Sequence, residues 1–335
     1  MATRRRPIFP SRRSFNFRLC GLLAAAAGCP GALAEVPNLP QGPVRLVVPF
    51  TPGTGIDLVA RTLGPRLSER LGRPVVVDNR AGASGNIGTQ AVVNAPADGS
   101  TLMVTVSTLV MNASLYPKLP FDPLKDLVPV ALTSWGQLLL VANPKTGFKS
   151  AADLLSAARQ APGTINYGSP GAGTPHHLAM ELLKNRADIS LTHIPYRGTA
   201  PALTDLLGGQ IDAMFLPIHV ALPHVKSGRL SALGIGSEKR HPLLPDLPTV
   251  SEAKVGSVNV DMWFGLFAPA GTPPELVAAL NRVVNEILRD KEVEQAFSSQ
   301  GMDPGTATPE EFRQLVEGDA KRWADLITAQ KITAE

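Results

Sequence analysis

Cysteine is almost absent from this chain. Its 335 residues include two, Cys20 and Cys29, and both lie in an N-terminal stretch that reads as a removable leader. With the leader gone no thiol remains to form a disulfide, bind zinc or act as a nucleophile, so packing alone must hold the mature fold. Acidic residues are missing from the same end: none precedes Glu35, whereas Arg4, Arg5, Arg6, Arg12, Arg13 and Arg18 make it strongly basic. Long apolar runs are also lacking. The run from Leu19 to Gly28 is too short to span a bilayer, and no later stretch is apolar enough to do so. No internal repeat and no low-complexity stretch follows the leader.

Those features stand in the order that export requires: basic start, short apolar run, then the small residues Ala32-Leu33-Ala34 before Glu35. The expected leader is therefore 1–34, cleaved after Ala34. Ser11-Arg12-Arg13-Ser14-Phe15 resembles a twin-arginine signal. Lipid attachment at Cys29, after Ala26-Ala27-Gly28, is a rival ending that lacks the usual leucine three residues earlier. Removing the six leader arginines takes the formal charge from +4 to about −2. The whole-chain pI of 9.2 thus says nothing about nucleic acid.

With 44% hydrophobic residues, a mature chain of this length can bury a large core and favours two domains over one. Short β-branched runs alternate with helical patterns, which predicts an α/β protein with largely parallel sheets. Strands are expected at 44–49, 75–78, 101–106, 138–142, 165–167, 191–194, 211–215, 232–235 and 263–267. Ser150 with Asp153, Thr272 with Glu275, and Thr308 with Glu311 each pair a capping hydroxyl with an acid three residues on. Clusters of proline and glycine suggest crossovers near 117–123, 143–147 and 242–248. The expected division places 143–258 in a second lobe, with 35–142 and 259–335 combining into the first.

Three glycine-rich or basic loops follow strands and open helices. In the first, Phe50, Thr51, Gly53, Thr54, Gly55 and Asp57 offer free amides and a helix N-terminus, which favour an anion. Neither a Walker loop nor the dinucleotide spacing is present. Asp57 reads either as a capping carboxylate or as a ligand contact. The second loop, Gly168 to His177, offers the hydroxyls of Ser169 and Thr174 and the amides of Gly171 and Gly173. Ser169 is no nucleophile elbow, because Tyr167 stands where glycine is needed. His177 and Glu181 share a helix face, but no third metal ligand accompanies them. In the third loop Arg197 follows a strand end, where it can hold a carboxylate with two bonds or remain solvated. Asn79 to Asn86, with Ser84, and Ser107-Thr108 end two further strands, so five loops are expected to converge.

Read in order, these loops resemble the Bug family, the extracytoplasmic solute receptors of the tripartite tricarboxylate transporters. The likeness runs along essentially the whole mature chain. It rests on Val47-Val48-Pro49-Phe50, on Val76 to Gly88, on Ala97-Asp98-Gly99-Ser100, on the loop from Gly168 to His177, on Pro195-Tyr196-Arg197-Gly198, on Leu206 to Asp212 and on Trp263 to Pro273. The resemblance implies a type II periplasmic-binding-protein fold, two α/β lobes around a ligand cleft, that captures a small organic acid and passes it to the membrane subunits of a transporter. It implies a periplasmic location, a monomer, no cofactor, no metal and no catalysis. It points to Ser169, Gly171, Gly173 and Thr174 as carboxylate donors, with the segment from Phe50 to Gly55 closing over them. Two departures stand out: Thr54-Gly55-Ile56 is bulkier than the family's glycine pair, and Leu216-Pro217-Ile218-His219 replaces a polar residue, which would suit a less polar or aromatic acid. A receptor that reports to a sensor kinase is one alternative. A secreted hydrolase using Ser169 with His176 or His177 is another.

Overall fold

A computed structural model describes residues 39–116 and 118–333; the leader expected over 1–34, with Cys29, lies outside them. In chain order the elements are β1 (Val44–Val48), α1 (Gly55–Leu71), β2 (Val75–Asn79), α2 (Asn86–Val93), β3 (Thr101–Val106), α3 (Thr108–Leu115), β4 (Leu127–Gly136), β5 (Leu138–Ala142), α4 (Ala151–Gln160) and β6 (Asn166–Ser169). They continue with α5 (Pro175–Ala187), β7 (Thr192–Pro195), α6 (Thr199–Gly208), β8 (Ala213–Pro217), α7 (Ile218–Lys226), β9 (Ser231–Ile235), β10 (Met262–Pro269), α8 (Pro274–Leu288), α9 (Lys291–Ser298), β11 (Met302–Pro304) and α10 (Pro309–Gln330).

The strands form a six-stranded sheet in the order β11-β4-β10-β3-β1-β2 and a five-stranded sheet in the order β7-β6-β8-β5-β9. Each sheet with its helices is one lobe of a two-lobed α/β fold. The expectation of largely parallel sheets needs correction. β1 pairs in parallel with β2 and β3, and β6 with β7 and β8, but β10 runs antiparallel to β3 and β4, and β5 to β8 and β9. Strands joined by helical crossovers stay parallel, whereas strands entering a sheet from the other lobe arrive in the opposite sense.

In the first sheet β3 and β10 are buried along their whole length, as a strand covered on both faces must be. In the second, alternation along β5 and β8 sends Leu139, Val141, Met214 and Leu216 to one apolar cluster, and Leu138, Leu140, Ala213 and Phe215 to the other. Thr308 and Glu311 form the expected capping box at α10, and Ser150 accepts from the Asp153 amide at α4. Thr272 does not cap α8: Pro273 occupies that position, and the Thr272 hydroxyl donates to the Pro269 carbonyl at 2.7 Å.

Only Gln137 separates β4 from β5, so the chain leaves the first sheet there. β5 pairs with β8 and β9 in the second sheet, which moves the expected break at 142/143 back to Gln137. The chain returns between β9 and β10. Gln137 donates to Ser237 at 2.9 Å, and Ser237 donates to Asp261 at 3.0 Å, so one hydrogen-bonded chain ties the outgoing segment to both ends of the returning one.

Candidate functional site

Five strands, β1, β3, β6, β7 and β8, end at the cleft between the sheets, and each is followed by a helix. One cavity, with an empty volume of about 420 Å³ that includes its open mouth, is lined by the starts of all five helices: Thr54 and Gly55 of α1, Thr108 of α3, Thr174 and Pro175 of α5, Thr199 of α6 and Pro217 before α7. The carboxyl ends of strands are where open α/β sheets bind ligands. Each helix N-terminus presents unpaired amides and about half a positive charge. Four of the five, α3, α5, α6 and α7, have no side-chain cap, so first-turn amides are not taken up by their own capping residues. Phe50, Ile56, Val106, Met262 and Phe264 make the rest of the wall largely apolar, and no Asp, Glu, Lys or Arg lines it. The chemistry on offer is neutral amide donors at a largely apolar wall, which suits an anion with an apolar body.

The first loop is held from behind. Asp57, 4% exposed, accepts from the Gly53 amide at 2.9 Å, from the Arg61 guanidinium at 2.9 Å and from Asn79 at 2.9 Å. Burial alone would raise its carboxyl, but the bonds from Arg61, Gly53 and Asn79 outweigh that and hold it below the usual carboxylate range. Asn79 also donates to the Phe50 carbonyl at 3.1 Å. Asp57 thus fixes the path from Phe50 to Gly53, and neither it nor Gly53 lines the cavity. Thr54 caps α1, accepting from the Asp57 amide at 3.5 Å and donating to Thr51 at 3.0 Å.

In the second loop much of the expected donor set is bonded internally. Ser169, fully buried, receives the Gly171 amide at 3.2 Å and shares a 2.7 Å hydrogen bond with His193. The Gly173 amide donates to His177 Nδ1 at 3.2 Å, and the Thr174 hydroxyl donates to the Gly171 carbonyl at 2.7 Å. Behind them the His193 ring stacks on two neighbours, with centroids 4.8 Å from Tyr167 and 4.1 Å from His177. Burial lowers His177 to about 4 and His193 to about 3, so both rings are neutral. Tyr167 bonds Glu181, which also holds Lys184 at 2.7 Å; His177 Nε2 is 3.9 Å from that carboxylate. Among the described residues no group of His, Cys, Asp or Glu is placed to hold a metal ion. Ser169, Gly173 and His177 line neither cavity of the cleft. The histidine beside Ser169 is His193, not His176 or His177.

A second, outer cavity of about 860 Å³ opens beside the first, with Phe50 and Pro170 in both walls. Thr51, Ser84, Gly171 and Arg197 line it. Arg197 is exposed and, among the described residues, is the sole charged side chain in either wall. The lobes touch here. Ser84 donates to the Ala172 carbonyl at 2.8 Å, and Tyr116 reaches the same oxygen at 3.4 Å. A Cβ on Gly173 would stand 2.6 Å from Leu115 Cδ1 of the other lobe at a φ of 78°, so a larger residue is strained here and presses on that side chain. Ala83 and Ser84 hold φ of 48° and 52°, a left-handed conformation that non-glycine residues seldom adopt. Asn112 holds that turn, donating to the Ser84 carbonyl at 2.9 Å and to Asn86 at 2.8 Å.

Sequence reasoning placed Phe50, Thr51, Thr54, Gly55, Ser84, Gly171, Thr174 and Arg197 on loops that do line the two cavities, while Asn86 and Ser107 stand just behind them. It weighed His176 only as a base for Ser169, whereas the ring lines the inner wall, and it gave no role to His219, whose Cε1 would be 3.0 Å from a Cβ on Gly55. His219 stood in the sequence as part of a segment lacking a polar residue, yet as the second residue of α7 it packs beside Gly55 of the other lobe. Tyr116 and His193 carried no signal, since their partners lie far away in the chain.

The sequence and fold match known proteins along most of their length. Residues 59–332 match the model of the family described as "Tripartite tricarboxylate transporter family receptor". The chain is 38% identical over 309 residues to Protein BugT of Bordetella pertussis, covering 92% of this chain and 94% of that one. An R. palustris protein solved with adipate superposes with a TM-score of 0.84 at 35% identity, over 88% of this chain and 99% of that one. The periplasmic binding protein BugD superposes with a TM-score of 0.83 at 31% identity, with the same coverage.

Proposed function

Because the chain belongs to the tripartite tricarboxylate transporter receptor family, we propose that it captures a small organic carboxylate between its lobes and delivers it to the membrane subunits of such a transporter. The observation that carries the ligand class is the cavity onto which five helix N-termini open with no acidic side chain in its wall. Backbone dipoles stabilise a carboxylate there without a buried counter-charge. The related protein solved with adipate supports the same class.

In this reading the carboxylate meets the first-turn amides of α5 and α6, with Thr174 and Thr199 beside it, and Phe50 to Gly55 closes from the other lobe. Ser169, Gly171, Gly173 and His177 shape the second loop from within. Arg197 at the outer mouth draws the anion in and meets any second acidic group. The family is one of receptors, and the Ser169–His193 pair has no access to either cavity, so the cleft binds without reacting. In the same reading the mature form begins at Glu35 and acts as a monomer; its place is the periplasm, which the likeness to the periplasmic binding protein BugD supports.

The test is a thermal-shift panel on mature protein, with mono-, di- and tricarboxylates, amino acids and aromatic acids. A ligand at one hundred times its Kd stabilises by about 2.7 kcal/mol, which raises the melting midpoint measurably. A panel in which no acid shifts the midpoint overturns the proposal.

A further inference from the structure

The inner cavity holds polar atoms that carboxylate capture by helix N-termini leaves unused. His176 in the first turn of α5 is 8% exposed, Thr108 at the start of α3 is 1% exposed, and both line the cavity. Neither ring nitrogen of His176 nor the Thr108 hydroxyl has a hydrogen-bond partner among the described residues. Leaving a buried polar atom unpaired costs about 1–3 kcal/mol, so several of them lining one space mark a position whose bonds come from a ligand or from water that a ligand displaces. They also come from opposite lobes, so a group that bonds both joins the lobes.

Resting on the receptor reading above, we propose that His176 and Thr108 form a second recognition point in the same cavity, built for a neutral hydroxyl on the skeleton of the bound acid. A neutral imidazole offers one donor and one acceptor, and a threonine hydroxyl can do either. The ring's acceptor nitrogen needs a proton donor. A ligand hydroxyl supplies one while accepting from Thr108; a keto oxygen or a second carboxylate supplies none. A second carboxylate would accept from the ring N–H but leave the ring's acceptor nitrogen unbonded, and burial with His219 nearby holds the ring at about 3, so it brings no positive charge to meet that group. No Lys or Arg lines the inner wall to take that role. The apolar side chains of Phe50, Ile56, Val106, Met262 and Phe264 suit a hydrocarbon skeleton between the two polar ends.

The experiment is calorimetric titration of ligand-free mature protein at neutral pH. Benzoate is compared with its ortho, meta and para hydroxy derivatives, hexanoate with its terminal hydroxy derivative, and adipate with both. At least one hydroxy acid is expected to bind about tenfold more tightly than its parent, the discrimination a site built for a hydroxyl readily exceeds. His176→Phe and Thr108→Val should each bring that ratio close to one, while His176→Gln, which keeps a donor and an acceptor, retains part of it. Melting curves establish that each variant is folded, and two positions on different lobes keep the test alive if one variant fails. Hydroxy and parent acids of equal affinity, or a preference that survives both His176→Phe and Thr108→Val, overturn the proposal. Adipate binding more tightly than every hydroxy acid does so too if that preference persists in Arg197→Ala, which removes the charge a second carboxylate would meet at the outer mouth. Acids that bind without hydroxyl preference sink this subsite alone, whereas silence across the whole series sinks the receptor reading with it.

Discussion

Ser84 of the first lobe donates its hydroxyl to the carbonyl of Ala172 in the second at 2.8 Å, and it does so from a left-handed backbone with φ of 52°. The turn is kept in that conformation by Asn112, which bonds the Ser84 carbonyl. The bond exists only while the lobes are together. Ser84→Gly removes it and leaves a residue at ease with positive φ, so latch and strain separate. Affinity for a carboxylate ligand should fall about two- to tenfold, the worth of one hydrogen bond, while the melting midpoint of the free protein does not fall. Titration calorimetry with parallel melts checks this; unchanged affinity would show that Ser84 is no latch.

Closure itself depends on Gly173. A Cβ there would meet Leu115 Cδ1 at 2.6 Å, and φ is 78°, so Gly173→Ala should hold the lobes apart. Small-angle scattering with saturating ligand is then expected to give a larger radius of gyration than the wild type, with affinity lower by at least about tenfold. Adding Leu115→Val shortens the opposing side chain and should recover part of the closure. No recovery in the double variant would trace the defect to backbone strain in the second loop instead.

The parts of the site that sequence made legible share one cause. Phe50 to Gly55 and Gly168 to Thr174 each join the end of a strand to a helix start, and glycine with hydroxyl residues in that position has few other uses. What stayed hidden depended on long-range partners. His193 is paired with Ser169 because β6 and β7 are neighbours, and no local pattern states that. β4 was missed because Pro129 interrupts it and Thr133 and Ser134 make it polar, although both are fully buried; a proline ordinarily argues against an interior strand. The lobe boundary was misplaced because Gln137 carries no turn signal, whereas Asn143 to Gly147 does. That stretch is instead a short helical turn in which Asn143 accepts from the Lys145 amide at 2.9 Å.

Asp57 links the first loop to acid stability. Its carboxyl lies below the usual range in the folded protein, so its contribution is complete above the unfolded value of about 3.9 and is lost as pH falls through the lower folded value. Asp57→Asn should cost about 1.5–3 kcal/mol at neutral pH, the scale of hydrogen bonds to a charged group, and the deficit should shrink below about pH 4. Urea denaturation of both proteins at neutral pH and near pH 3 measures it. A deficit equal at both would mean that the negative charge is not what holds Arg61 and Asn79.

At the crossing between the lobes the sign is reversed. Burial raises the Asp261 carboxyl, and the bond from Ser237 is the first of the effects that lower it again. A raised carboxylate stabilises nothing by ionising: the folded state carries a cost above its folded pKa, and that cost vanishes once the group is protonated. Ser237→Ala removes the donor to Asp261 and the acceptor of Gln137 together, so ionised Asp261 becomes more expensive to bury. The variant should lose about 1–3 kcal/mol at neutral pH and less in mild acid. Because these residues join the outgoing and returning segments, the balance between open and closed forms should move as well, seen as altered ligand affinity without any change in the residues lining the cavity. Equal destabilisation at both pH values would reduce Ser237 to a packing role and remove Asp261 from the account of the crossing.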